Sequence, residues 1–549
     1  MRSAVDREER FLVTASYDKT VRVWEIRTGR LLSTVRVPVA HGVTGRIYAV
    51  AISPDSQILA IYAWMRPNDP HVIYLVDRAS GRLVSTIEGL PGVVFHLAFS
   101  PDGQYLAATA RTSSGFRVYK APDFKEVARG KGYGDRGIWA DFSANNELVT
   151  TSHDGYIRLY DSRFNLKEKI KAAPNERPLS AIISPDGSRI AVGYANSTRV
   201  EVFATDGLSR LFTANAPGNR GSLSFVAWSA DGERLYAAGQ SKGSNQERLI
   251  RQWNEGGRGL PSDLHVPTST ISGIFPLKSG RILIAAMDPH IALLESDGRV
   301  VWQHERGLPD FRNQLGSNSI QLSRNAKIVQ FGLGRNGADQ VRFSLTQAQL
   351  FQEPGSDAEL SGHLIASGDF AVEDWRNSTA PKLNGMRLPL HESERARSLA
   401  ISPTEERFVL GTDWYLWCFR KDGHAVWRSF VPGRAWAVNI APNAKVVVAG
   451  FGDGTLRWYR LSDGVELLAL FVDPGSGRWI VWTPEGYFAA SSDGGSLVGW
   501  HTDDVATGLA KFTPLSDLRQ KYNRPDVIKK VLDTLDVQRA LSLADESRH

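Results

Sequence analysis

A turn that keeps returning constrains this chain more than any other feature. Ser53-Pro54-Asp55, Ser100-Pro101-Asp102-Gly103, Ser184-Pro185-Asp186-Gly187 and Ser229-Ala230-Asp231-Gly232 each end an apolar run such as YAVAI or FHLAF. Proline fixes φ there, and Asp and Gly complete a β-turn. Weaker copies fall in phase at Ser143, Pro276, Ser323, Ser402, Ala441 and Thr483, and Asp6 fits one step before Ser53. The steps are about 39 to 47 residues. Ser323 to Ser402 is about two steps, so one further, degraded unit is expected near Gly362.

Between turns the chain reads as hairpins. In FLVTASYDKTVRVWEIRTGR, Phe11 to Ser16 is one apolar strand and Tyr17 to Lys19 a tight polar turn, after which Val21 and Val23 alternate with Arg22 and Trp24. Four short strands per unit at this period predict an all-β fold of tandem WD40-type β-propellers. Propellers close with about four to eight blades, so about twelve blades make two rings, seven plus five or six plus six. At 549 residues the chain is in any case too long for one core. The expected division is an N-terminal propeller of about seven blades over 1–305, a C-terminal propeller of about five over 306–514 with its ninth repeat degraded, and a helical tail over 515–549. Residues 304–318 form the boundary, with turn formers and no alternation.

In the tail the periodicity changes. Val527, Ile528, Val531, Leu532 and Leu535 share one helical face, Pro525 and Asp526 suit a first helical turn, and Asp536 suits the cap of a second short helix. That apolar face is expected to dock on a propeller.

Composition excludes several classes. No apolar run approaches about 18 residues, so no helix is expected to span a membrane. The charged start MRSAVDREERF has no apolar h-region, and a cytoplasmic protein is expected. The net charge of +6 is spread along the chain, which does not favour nucleic acid. The single cysteine, Cys418, lies within the strand WYLWCFR; it excludes an intramolecular disulfide or CxxC metal site and reads as a buried core thiol. His153 and Asp154 in TTSHDGYIRLYD read as structural, the aspartate on the tight turn. No P-loop, HExxH or supported GxSxG occurs, so no catalytic, cofactor or metal residues are expected and the chain reads as non-enzymatic.

The ordered set FLVTASYDKTVRVWEIRTGRLL, IYAVAISPD, IYLVDRASGRL, GYIRLYD, APKLNG, AWAVNI, DGTLRWYRL, WTPEGYFAAS, GWH and YNRPDVI resembles the WD40 region that accompanies bacterial caspase-like peptidase domains. The resemblance implies an accessory or scaffold chain with protein partners, any caspase-like peptidase being supplied by another protein or lost. Such a peptidase needs a His base and a Cys nucleophile on an α/β fold, and this chain has no α/β segment to hold them.

One candidate binding set comes from phasing. Seven residues before the Ser or Ala that closes an inner strand stand Arg46, Arg136, Arg177, Arg395 and Arg434. Inner strands line a propeller's channel, so these side chains are expected around channel mouths, as a positive collar for an acidic peptide or other anion. The alternative is that each arginine caps its own blade through a turn carboxylate or carbonyl. Two functional classes stay open: a scaffold for protein–protein interaction, and a channel-pocket sensor of a small anionic ligand or peptide, or a propeller-fold hydrolase.

Overall fold

The computed structural model describes residues 2–38, 45–64, 71–110, 115–217, 221–243, 247–266, 268–287, 290–304, 307–314, 319–355, 360–367, 370–392, 394–404, 406–504 and 507–547. Parts of the expected boundary, 305–306 and 315–318, lie outside these residues.

The recurrent turn forms by side-chain chemistry. Ser184 Oγ donates to Asp186 Oδ1 at 2.5 Å and accepts from the Arg189 amide at 2.9 Å, while Asp186 Oδ1 also takes the Ser188 amide at 3.1 Å. Ser53, Ser100 and Ser229 repeat the motif with Asp55, Asp102 and Asp231. Gly187 at φ 74° supplies the left-handed residue that completes the bend. Serine and aspartate thus satisfy the amides that the reversing chain frees.

The fold is mostly β, built from four-stranded antiparallel sheets, and it divides into two compact units. The first unit comprises Met1–Arg306 and Thr502–Lys511 and has seven four-stranded sheets, each continuous in sequence. Their inner strands are Arg2–Val5, Ile47–Ile52, Val94–Phe99, Gly137–Phe142, Pro178–Ile183, Phe225–Trp228 and Ile271–Pro276, and each neighbours the next in a cycle that returns from the seventh to the first. The unit is a closed propeller. Closure uses side chains rather than a shared strand: Leu12 and Ile26 of the first sheet pack with Leu277, Leu283, Ile291 and Leu293 of the seventh. Trp302 Nε1 donates to the Ile26 carbonyl at 2.9 Å, and the Lys278 amide donates to Glu9. Thr502–Lys511 was expected within the C-terminal ring, but Leu509 is buried among Val35, Val37 and Ile61 of the first unit.

The second unit comprises Gly307–His501 and Phe512–His549. Among the described residues its expected five repeats form four sheets and a two-stranded sheet of Gly499–Asp504 with Leu509–Pro514. Trp479–Trp482 pairs with Glu466–Val472 instead of opening a sheet of its own, so the fourth sheet has six strands. The reason lies in Glu466–Val472, ELLALFV, which is buried along most of its length on both faces; fourth strands elsewhere, such as Leu166–Lys171, are exposed and polar. A strand apolar on both faces needs a further neighbour. The degraded ninth repeat forms a sheet with three strands of two residues each, Ala366–Ser367, Lys382–Leu383 and Met386–Arg387, beside Phe370–Glu373. The six-stranded sheet packs on the first sheet of this unit, with the Trp458 indole donating to the Ala326 carbonyl at 2.9 Å.

Helices Pro525–Thr534 and Val537–Glu546 complete this unit's core. Val527, Ile528, Val531, Leu532, Val537, Ala540 and Ala544 are buried in it, and Asp536 caps the second helix by accepting the Arg539 amide. Cys418 is fully buried in Tyr415–Arg420, and burial pushes its thiol up to about 12, out of reach of reactive thiolate chemistry. Among the described residues no helix is long and apolar enough to cross a membrane.

Candidate partner-binding face

The spacing of the five arginines has a structural cause. Each immediately precedes an inner strand, Ile47–Ile52, Gly137–Phe142, Pro178–Ile183, Ala396–Ile401 or Ala435–Ile440. In every case its carbonyl accepts the amide that follows the second strand: Trp64 to Arg46 at 2.7 Å, His153 to Arg136 at 3.0 Å, Ala195 to Arg177 at 2.8 Å, Asp413 to Arg395 at 3.0 Å and Gly452 to Arg434 at 2.8 Å. The five backbones are therefore equivalent. Their side chains are not.

In the first unit, Arg136 and Arg177 sit on consecutive sheets, and Arg136 engages His153. Arg136 Nε donates to His153 Nδ1 at 2.9 Å, and its guanidinium lies 5.7 Å from the Phe95 ring of the preceding sheet. Burial, then the charge of Arg136 and more weakly that of Arg177, hold the imidazole below its usual range, with Asp135 opposing them. Neutral His153 therefore accepts rather than repels. Arg177 is exposed, fixed at its backbone by Asn196 Oδ1 at 2.9 Å. Arg46 stands on the second sheet, 5.5 Å above the ring of Tyr17, which stacks on Tyr48 at 5.4 Å. Asp154 of the same turn as His153 is structural: it holds Arg158 at 2.6 Å, a buried guanidinium that also lies 4.0 Å from the Tyr133 ring.

In the second unit the arginines are committed to protein partners. Arg434 Nε reaches Asp413 Oδ1 at 3.0 Å; Arg397 holds the same carboxylate through Nε at 2.7 Å and Nη2 at 3.1 Å. Arg395 Nη1 donates to the Asn377 carbonyl at 3.4 Å. Trp436 lies 5.1 Å from Arg397 and 5.7 Å from Arg434. Arg397 stands outside the seven-residue offset, so phasing could not find it; its signal would have been an arginine at an inner-strand position. Arg220, at a similar but unequal offset, lies outside the described residues.

The first unit's channel carries groups that the phasing also missed. Arg2, His96, Trp139 and Phe225 come from the inner strands of the first, third, fourth and sixth sheets. Arg2 lies 5.1 Å from the Trp139 ring and 5.8 Å from that of Phe225, and His96 stacks on Trp139 at 3.8 Å. Among the described residues no cluster of three or more His, Cys, Asp or Glu side chains could hold a metal ion.

With this geometry in hand, comparison with known families is specific in two places. The family model described as WD domain, G-beta repeat matches residues 3–25, which span most of the first sheet's first three strands, and residues 81–119, which run from the second sheet's outer strand into the third sheet. No curated protein matches the chain.

Proposed function

We propose that this WD40-repeat protein is a non-enzymatic scaffold that takes an acidic segment of a protein partner on the inner-strand entry face of its first unit, with Arg136 and Arg177 as anchors. One observation carries the reading: Arg136, beside the sheet that carries Arg177, donates to a neutral histidine rather than to a carboxylate. A planar guanidinium fork suits carboxylates, and a neighbouring aromatic such as Phe95 adds contact area. The second unit is the weaker candidate, because Arg397 and Arg434 already share Asp413. Among partners, the resemblance favours a caspase-like peptidase supplied by another chain.

The test is the double variant R136E/R177E, assayed against a labelled Asp/Glu-rich peptide and against caspase-like peptidases. Binding should weaken about tenfold or more and depend on salt, while the melting temperature stays within about 1 °C of wild type. Normal binding with a melting temperature several degrees lower would make these arginines blade caps and end the proposal.

A further inference from the structure

We propose that the channel of the first unit is a binding site for a small carboxylate, seated on Arg2 and Trp139 and walled by His96 and Phe225. The site is separate from the entry-face arginines, so either proposal can fail alone.

The geometry places these groups at the centre of the ring. The first sheet neighbours only the second and the seventh in the cycle, yet Arg2 reaches Trp139 of the fourth and Phe225 of the sixth. Contacts between non-adjacent blades can be made only across the channel axis. Arg2, His96 and Trp139 are each only half-buried, so the channel is not packed solid at this level.

Three polar atoms of these residues are without a partner: Arg2 Nη1, His96 Nδ1 and Trp139 Nε1, each shut off from bulk solvent. A buried donor left unpaired loses its hydration with nothing in return, which is why native proteins hold few of them and why several together call for a ligand or ordered water. The charge is as unbalanced as the hydrogen bonding. Among the described residues no carboxylate forms an ion pair with Arg2, and burial pulls its guanidinium down to about 10, still a cation at neutral pH. Asp141, two residues beyond Trp139, accepts the Ile183 amide at 3.0 Å, and burial pushes its carboxyl up to about 7. It supplies no full counter-charge.

The donor set selects the ligand class. A guanidinium N–H and an indole N–H offer hydrogens to an acceptor rich in lone pairs and carrying one negative charge. His96, held neutral by burial and by the nearby Arg2 charge while its ring bonds the Ala140 carbonyl, brings no second cation. One cation between aromatic faces fits a carboxylate on a small apolar or aromatic body rather than a multiply charged phosphate.

Titration calorimetry of the full chain with acetate, benzoate and inorganic phosphate, at constant ionic strength set with chloride, tests the site. Saturable binding of benzoate or acetate, with phosphate weaker, is the expected result. Arg2→Gln and Trp139→Phe should each weaken it about tenfold or more, the loss of one charge-assisted or buried hydrogen bond. Trp139→Phe keeps the aromatic wall, so it remains informative if Arg2→Gln does not fold. Absence of saturable carboxylate binding, undiminished binding in both variants, or a crystal grown in benzoate whose channel donors are met by ordered water alone would overturn the proposal.

Discussion

The two units are built from the same repeat and differ in how much of it they keep. In the first, the Ser-x-Asp turn recurs with its carboxylate at Asp55, Asp102, Asp186 and Asp231, with Asn145 in its place in the fourth sheet's turn, and every sheet has four strands. In the second, the corresponding turns carry Asn325, Thr404 and Asn443, and sheet lengths run from two-residue strands to a six-stranded sheet. Where each repeat closes its own turn, blades are interchangeable. Where it does not, stability is imported, here from a fifth and sixth strand and from helices Pro525–Thr534 and Val537–Glu546.

Removing the imported part should have the largest effect. Truncation after Pro514 deletes Val527, Ile528, Val531 and Leu532 from the second unit's core. At roughly 1.5 to 3 kcal/mol each, these four alone contribute on the order of a whole domain's net stability of about 5 to 15 kcal/mol. Calorimetry of the truncated chain should lose the second unit's transition and leave the first unit's in place. Equal loss of both would erase the contrast between a self-sufficient ring and a supported one.

Ring closure comes next. Leu283 is fully buried where the seventh sheet meets the first, and Leu59 is fully buried between the first and second sheets. Because no strand is shared across the closing interface, it should be an interface like the others. Leu283→Ala and Leu59→Ala should each cost about 2 to 5 kcal/mol and lower the first unit's melting temperature by a similar amount. A much larger loss for Leu283→Ala would make closure a special joint rather than one more packed interface.

How far the sequence could be read follows from the same contrast. The turn, the hairpin alternation and the tail's apolar face are local patterns, and residues 53–58 or 184–189 make their hydrogen bonds within a few positions. They were legible for that reason. The fate of Trp479–Trp482 was not, because pairing to Glu466–Val472 depends on which neighbour covers a doubly apolar strand; the run LLALFV carried that signal, but the repeat phase overrode it. The arginine offset reported a real backbone equivalence, yet it said nothing about side chains, and Asp413 divides Arg434 from Arg136 in behaviour. Arg2 and Trp139 escaped because their meeting across the channel follows from closure, which no local pattern encodes.

The smallest expected effect isolates the turn chemistry itself. Asp186, whose hydrogen bond from Ser184 is the foremost cause, is held down to about 2 from an ordinary 3.8. A carboxylate depressed on folding contributes stability above its unfolded pKa and loses it as pH falls through the folded value. Asp186 is exposed, so solvent screens the interaction, and Asp186→Asn should cost only about 1 kcal/mol at pH 7. The asparagine does not titrate, so the difference from wild type should shrink on acidification, to about half by pH 3, in urea unfolding of the first unit. The reverse change belongs in the second unit, where Ser323 Oγ meets Asn325 Oδ1 at 3.2 Å instead of the 2.5 Å of Ser184 and Asp186. Asn325→Asp should recover a few tenths of a kcal/mol there at pH 7 and progressively less toward pH 3. A cost for Asp186→Asn that does not change with pH would mean that the turn depends on the shape of the side chain and not on its charge, and the two units would then differ in sequence at this position without differing in physics.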